Sequence, residues 1–259
     1  AKHDIDTIVH FAAESHVDNS IHDPVSCITN NIIGSAHLLD SAKKYFSSMS
    51  KAGQKRFRFL FVSTDEIYGS LDKNQAPVSE QDKFKTSSPY SASKAAGNHL
   101  AEAWGRTYGL PIITTQCTNN YGSGQHPEKL IPRFIDLLKQ STPVTIQGDG
   151  SCLRSFLHVD DVCSAFETIL GRGEIGEIYN IGCDEKMEYS VLEVAHKLIK
   201  LIIGKHKHGE ELNNDELNKW IKYIEDRPFN DKRYYISNEK LKKLGWNINI
   251  DFDDGLKQL

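Results

Sequence analysis

Arg58-Phe59-Leu60-Phe61-Val62-Ser63-Thr64-Asp65-Glu66 is the stretch that decides the fold. Arg58 to Ser63 is a short apolar run and reads as a buried strand. Downstream, Ser91 to Tyr108 has helical periodicity, with Ala95, Ala96, His99, Leu100, Ala103 and Trp104 on the packing side and Gly109 as its stop. Leu110 to Thr115 is the next strand. Upstream, Thr7 to Ala13 reads as a strand running into a small-residue turn. Asn31 to Tyr45 follows as a helix with Ile32, Ile33, Ala36, Leu39 and Ala42 on one side. A helix over Asp161–Leu170 leads into a short strand, Glu177 to Ile181. Strand–helix–strand alternation of this kind predicts a parallel α/β sheet with right-handed crossovers.

The rest of the chain is less regular. Tyr121 to Ser155 reads as loop around one helix, Leu130 to Lys139. Tyr189 to Ile203 reads as an amphipathic helix, and Lys205 to Glu216 as polar and exposed. The expected division is a sheet domain over residues 1–120 and 156–182, with a smaller lobe over 121–155 and 183–259.

Composition excludes several classes. The chain has 259 residues, 39% hydrophobic and 25% charged, as an ordinary globular protein does. A net charge of -4 gives no basic footprint for nucleic acid. No run of apolar residues is long enough for a membrane span, and the first residues do not read as a signal peptide. Five scattered cysteines without a Cys-x-x-Cys read as reduced thiols in a cytoplasmic protein. No metal site is expected; His206 and His208 read as part of a solvated loop.

Two motifs carry chemistry. Tyr90-Ser91-Ala92-Ser93-Lys94 sets a phenol and an ammonium one helical turn apart. A free phenol has a pKa of about 10, so a neighbouring cation helps it act as a base toward an alcohol. A surface Tyr and Lys on a helix is the plain alternative. Thr64-Asp65-Glu66 puts a hydroxyl and two acids at the carboxyl end of a strand, where open α/β sheets place their ligands. One literal G-x-G-x-x-G, Gly171 to Gly176, follows a helix and enters a strand. That is the wrong order for a phosphate cradle, and it reads as a helix stop and turn.

These residues resemble the extended short-chain dehydrogenase/reductases. Tyr90-x-x-x-Lys94 is similar to their active-site pair, and His10-Phe11-Ala12-Ala13-Glu14-Ser15-His16-Val17-Asp18 to the cofactor segment of the sugar-nucleotide branch. Thr64-Asp65-Glu66, with Pro127-Glu128-Lys129-Leu130-Ile131-Pro132 and Asp226-Arg227-Pro228, resembles the nucleoside-diphosphate-glucose 4,6-dehydratases. The resemblance implies a Rossmann-like sheet with a smaller mixed α/β substrate lobe. The sequence opens on what reads as a later strand, so the N-terminal phosphate-binding unit is expected to be missing from that sheet.

The resemblance further implies a hydro-lyase that uses tightly held NAD and acts on dTDP-glucose, with UDP-glucose as the alternative nucleotide. Tyr90 would take the proton of the 4-hydroxyl while hydride leaves C4, Glu66 would remove the C5 proton, and Asp65 would protonate the departing 6-hydroxyl. Thr64 would hold the 4-oxygen. Phe11, Ala12, Ala13, Ser15, Thr29, Tyr90, Lys94 and Asn120 are the implied cofactor contacts. Ser15, Thr64, Asp65, Glu66, Asn119, Lys129, Leu130, Arg154, Asn180, Arg227 and Asn230 are the implied substrate contacts. Plain alternatives stand beside several of these: close packing for Ala12-Ala13, a helix cap for Thr29, an Asn-rich turn for Asn119-Asn120. Where the family often has Gly-His after Asp-Arg-Pro, this chain has Phe229-Asn230. A homodimer through the 31–45 and 91–108 helices is implied, unless their apolar faces are internal. Rival functions are a same-fold 4-epimerase or decarboxylase, which Asp65-Glu66 disfavours in the epimerase case, and a non-catalytic cofactor-binding protein.

Overall fold

The computed structural model describes residues 3–204 and 212–259. Arg58–Thr64 lies inside a parallel sheet, flanked by short strands on both sides. In chain order the strands are β1 (Thr7–His10), β2 (Arg58–Thr64), β3 (Ile112–Cys117), β4 (Asn119–Tyr121), β5 (Val144–Gln147), β6 (Leu153–His158), β7 (Ile178–Ile181), β8 (Glu188–Ser190) and β9 (Ile221–Ile224). The main sheet has the order β1-β2-β3-β7 and is parallel throughout. Side chains alternate along β2, and both faces are covered, as a parallel sheet requires. Phe59 and Phe61 pack with Leu39, Ala42, Ala101 and Leu110 on one side. Leu60 packs with Ile113, Val162, Ile169, Tyr179 and Trp246 on the other. Each such fully buried side chain contributes roughly 1.5–3 kcal/mol.

The crossover from β1 to β2 holds α1 (Val17–His22), α2 (Pro24–Ile28), a π turn over Thr29–Ile33, α3 (Gly34–Ser48) and α4 (Lys51–Arg56). The helical stretch therefore starts at Pro24, capped by Asp23, whose carboxylate accepts from Ser26 N at 3.0 Å. Thr29 lies inside it and caps nothing at the expected start, Asn31. The wide π turn also rotates the inner face. Asn31, Ser35, Leu39 and Ala42 are buried, while Ile33 is 49% exposed. Periodicity at the ordinary helical pitch had placed Ile32, Ile33 and Ala36 inside.

Between β2 and β3 runs α5 (Pro89–Tyr108). Its cap at Gly109 has φ 66°, as expected of a helix-ending glycine. Of the apolar face read from the sequence, Ala95 is buried and Leu100 and Trp104 pack against the core, but the inner face also takes in residues that reading left out. Ser93, Lys94, Gly97, Asn98 and Ala101 face inward, and His99 and Ala103 are exposed. The helix sits close on the sheet: a Cβ at Gly97 would stand 2.7 Å from the Phe61 ring. Close approach selects small residues there, so hydrophobicity alone misjudges the face.

The second part of the chain carries α6 (Leu130–Lys139), α7 (Val159–Arg172), α8 (Val191–Ile202), α9 (Asn214–Asn218), α10 (Glu239–Lys242) and α11 (Phe252–Lys257). Helix α7 is the crossover into β7, and the Gly171–Gly176 turn joins them. Tyr121 to Ser155 contains more strand than expected: β4, β6 and β8 form one sheet, β5 and β9 another. These strands are three to six residues long, too short for period-two alternation to stand out. Tyr189 belongs to β8, paired with Arg154, and not to the helix. A capping box between Ser190 and Glu193 sets the start of α8 at Val191. His206 and His208 lie outside the described residues. Within the described rest of 205–216, Leu212 is buried, against the exposed reading. Tyr121, Ile131, Phe134, Phe156, Leu198 and Phe252 form the core of this part.

Asp161 ties α7 to the segment before α11. It is 2% exposed and accepts from Asn249 N at 3.1 Å and Ile250 N at 3.0 Å. Asp161→Ala removes a buried charged acceptor from two part-buried hydrogen bonds, so we expect a loss of about 1–3 kcal/mol. A urea titration should show a lower midpoint with an unchanged slope. A midpoint equal to that of the parent would reject the role.

Candidate active site

The strand β2 ends because Thr64 keeps extended backbone while Asp65 to Tyr68 close a 3-10 turn. The turn is stopped by Gly69 at φ 75°, where a Cβ would meet the Lys85 carbonyl oxygen at 2.1 Å. Asp65 is thereby buried under the strand end, and Glu66 lines a cavity of about 240 Å³. Tyr90 comes from the first turn of α5, which Ser88 and Ser91 fix through a reciprocal capping box. Tyr90 and Lys94 are each 7% exposed. Both are therefore internal, which disposes of the surface reading of this pair.

Burial sets the electrostatics. It pushes Asp65 up to about 6. Burial, and then the Asp65 charge, push Glu66 up to about 7, with Arg154 pulling the other way. Two adjacent carboxyls with raised and coupled pKa values share protons near neutral pH rather than both ionising. Burial first, then the charge of Glu66, also pushes the Tyr90 phenol above its ordinary value, with the Thr64 hydroxyl opposing. Lys94 is lowered to about 8 by burial. Its Nζ donates to the Val62 carbonyl at 2.7 Å, so the ammonium is anchored on β2. Thr64, Asp65, Glu66 and Tyr90 thus form one coupled group, as their sequence pattern suggested.

The cavity is also lined by Ser15, Asn119, Lys129, Leu130, Arg154, Arg227 and Asn230, all singled out from the sequence. Four cationic side chains line the cavity, Lys129, Arg133, Arg154 and Arg227. Lys129 Nζ donates to the Ser15 carbonyl at 2.8 Å. Arg154 donates to Asn230 Oδ1 at 3.2 Å. Arg227 donates to Gln147 Oε1 at 2.9 Å and pairs with Asp18 at 3.3 Å. Guanidinium groups at such a wall suit phosphate oxygens.

Other expected residues lie elsewhere. Phe11, Ala12 and Ala13 stand exposed at the carboxyl end of β1, with Phe11 edge-on to Phe166. Thr29 and Asn120 are exposed too. Asn180 does not line the cavity. It is fully buried in an internal network, accepting from Tyr68 OH at 3.2 Å and donating to the Val78 carbonyl at 3.3 Å.

The structure adds residues the sequence reading passed over. Asp18 and Gln147 hold Arg227, and Tyr234 lines the cavity beside Glu66. Asn31 joins the segment after β1 to α5: it accepts from Glu14 N at 2.7 Å and donates to Ser93 Oγ at 2.8 Å. None of these carries a local sequence signal, because each acts across a long separation. Among the described residues no cluster of ligands fit for a metal occurs, and no helix is long and apolar enough to cross a membrane.

The family model described as GDP-mannose 4,6 dehydratase matches residues 1–259. A trifunctional UDP-glucose 4,6-dehydratase/UDP-4-keto-6-deoxy-D-glucose 3,5-epimerase/UDP-4-keto-L-rhamnose-reductase of Arabidopsis thaliana is 45% identical over 98% of this chain. The chain spans 35% of that relative's length. The dTDP-glucose 4,6-dehydratase of Haemophilus influenzae is 43% identical over 99% of this chain and 75% of its own. The crystal structure of DesIV, a dTDP-glucose 4,6-dehydratase from Streptomyces venezuelae solved with NAD bound, superposes with a TM-score of 0.86. It is 36% identical, over 98% of this chain and 71% of its own. The parallel sheet and its crossovers are thus the Rossmann-like fold of that enzyme.

Proposed function

Because the chain belongs to the GDP-mannose 4,6-dehydratase family, we propose that it dehydrates a nucleoside-diphosphate glucose to the 4-keto-6-deoxy sugar as an NAD-using hydro-lyase. The observation that carries this is the buried Asp65–Glu66 pair coupled to Tyr90, opening onto a cavity walled by Lys129, Arg154 and Arg227. An epimerase needs only a base at the 4-hydroxyl. Two coupled carboxyls add what elimination needs: a base for C5 and an acid for the 6-hydroxyl.

The chain's residues divide the work. Tyr90 accepts the proton of the 4-hydroxyl, which Thr64 holds. Glu66, when ionised, removes the C5 proton, so the productive state of the coupled pair is the one that carries the shared proton on Asp65. Asp65 gives its proton to the departing 6-hydroxyl. Lys129, Arg154, Arg227 and Asn230 hold the diphosphate, with Ser15, Asn119 and Leu130 as further contacts on the substrate side, while Asn180, buried behind the wall, is no contact. For the dinucleotide, the exposed apolar shelf of Phe11, Ala12 and Ala13 at the carboxyl end of β1 fits a flat ring system, and Ser15, Thr29, Tyr90, Lys94 and Asn120 complete its contacts. When bound, the nicotinamide supplies the acceptor that takes hydride from C4 and returns it to C6, so NAD is not consumed.

We take dTDP-glucose as the substrate, on the likeness to the Haemophilus and Streptomyces enzymes. UDP-glucose is the second reading, favoured by the Arabidopsis relative. The test is incubation of the purified protein with dTDP-glucose, UDP-glucose and GDP-mannose, following the 4-keto-6-deoxy product by NMR. Equal turnover of all three, or of none, would reject the proposal.

Arg227 offers a second check. Arg227→Gln is expected to raise KM for the nucleotide sugar about tenfold or more, with kcat within a few-fold, since a charged hydrogen bond contributes about 1.5–3 kcal/mol. A fall in kcat at constant KM would remove Arg227 from the diphosphate site.

We also propose a division into a cofactor domain over residues 1–120 and 156–182 and a sugar-nucleotide lobe over 121–155 and 183–259. The separate core around Phe134 and Phe252 supports it. Leu241 and Trp246 depart from it by packing on the main sheet. The exposed Ile33 on the α3 side supports a homodimer through α3 and α5. A single-chain mass in solution would reject that dimer. Five free cysteines accord with a cytoplasmic location.

A further inference from the structure

Asp231 is 5% exposed, and two hydroxyls converge on it. Its Oδ2 accepts from Ser87 Oγ and from Tyr234 OH, while its Oδ1 is buried without a partner. Ser87 immediately precedes Ser88, the cap of α5, and so lies three residues before Tyr90. Tyr234 is 6% exposed, and its oxygen stands 3.5 Å from Glu66 Oε2. The Arg154 guanidinium lies over the Tyr234 ring at 4.5 Å. One buried carboxylate therefore touches, through one hydroxyl each, the start of the Tyr90 helix and the side chain of Glu66. Nothing in the proposed dehydration so far uses it.

A phenol has one proton. Tyr234 spends it on Asp231, and burial with the Glu66 charge keeps that proton on the ring oxygen. The side of the phenol facing Glu66 therefore offers only lone pairs. The Tyr234 OH contact to Glu66 Oε2 at 3.5 Å is therefore weak while Asp231 holds the phenol proton, and it can tighten into a good hydrogen bond only when a protonated Glu66 donates. The Asp231 charge behind the phenol works in the same direction, since a second carboxylate nearby disfavours an ionised Glu66.

We propose that Asp231, acting through Tyr234, is a positioning residue that sets how strongly Glu66 holds a proton and ties Glu66 to the first turn of the Tyr90 helix. This rests on the dehydratase reading of the site. Glu66 also faces Asp65 from its own turn, Arg154 from β6, Tyr90 from α5 and Arg227 from the segment after β9. Arg154 and Arg227 favour the ionised form and Asp65 opposes it. Asp231 is the member of this set that reaches Glu66 through a shared phenol.

The test is the pH profile of elimination in the parent, Asp231→Asn, Tyr234→Phe and Ser87→Ala proteins. Glu66 must be ionised to take the C5 proton, so activity rises with pH along an acid limb. Asp231→Asn keeps the shape but removes the charge, and its acid limb should move down by roughly one pH unit. Tyr234→Phe removes the acceptor for the Glu66 proton and should move the limb the same way by less. Ser87→Ala spares the charge and should leave the limb in place. A merely structural Asp231 would lower activity at every pH without moving the limb, and that result overturns the proposal. Carboxyl titration by NMR on Glu-labelled protein, with the Glu66 signal assigned by Glu66→Gln, separates the two readings. A Glu66 titration lowered in Asp231→Asn supports the positioning role even if no nucleotide sugar is dehydrated, a result that would overturn the dehydratase reading instead. An unmoved titration beside normal dehydration overturns the positioning role alone.

Discussion

Glu66→Gln is expected to slow water loss by about 10²–10⁴-fold while oxidation at C4 stays measurable. Glutamine keeps the size of the side chain and its place at the cavity wall, but it cannot take the C5 proton. The charge of Glu66 is one of the causes that hold the Tyr90 phenol above its ordinary value. Removing that charge makes Tyr90 easier to deprotonate, so the first step should run, and run at lower pH than in the parent. The readout is double: accumulation of reduced nicotinamide absorbance with substrate, and absence of the 4-keto-6-deoxy product. Normal product formation would show that Glu66 is not the base. Loss of both signals would show that Glu66 serves binding or folding instead.

Tyr90→Phe is expected to remove both signals, lowering oxidation and product formation together by about 10²–10⁴-fold. In the proposed reaction the phenol accepts the alcohol proton, and every later step waits on the ketone. The ring stays buried in the first turn of α5, and the capping box of Ser88 and Ser91 does not involve it, so the fold should hold. The comparison with Glu66→Gln is the informative part. One variant stops before the ketone and the other after it. If Tyr90→Phe still reduced the nicotinamide at the parental rate, the acid–base roles would have to be reassigned.

Much of this was legible in the linear sequence because it is local. The strand β2, the α5 helix with its glycine stop, and the Thr64-Asp65-Glu66 and Tyr90/Lys94 patterns are all short-range features. The helix over Leu130–Lys139 came out at the expected bounds because its apolar residues recur at helical spacing and bury one side. Where the reading erred, close packing or a short element had overridden periodicity. The inner faces of α3 and α5 mix Leu39, Ala42, Ala95 and Ala101 with Ser, Gly, Asn and Lys, since the π turn and the Gly97–Phe61 contact help dictate who faces inward. Strands of three or four residues, such as β4 and β8, leave almost no pattern to read.

The sequence by itself determined the parallel sheet, the family resemblance and the residues proposed to react, because strand–helix alternation and the motif residues sit within a turn or two of one another. Only the tertiary structure decided how those groups are tuned. Asp65 and Glu66 look alike in sequence, yet burial lifts Asp65 to about 6, and burial with the Asp65 charge brings Glu66 to about 7. Asp231 and Tyr234 gain a role only when the chain brings Tyr234 against Glu66, 168 positions away. Proton affinity depends on what surrounds a group in space, and that surrounding is assembled from segments no local pattern connects.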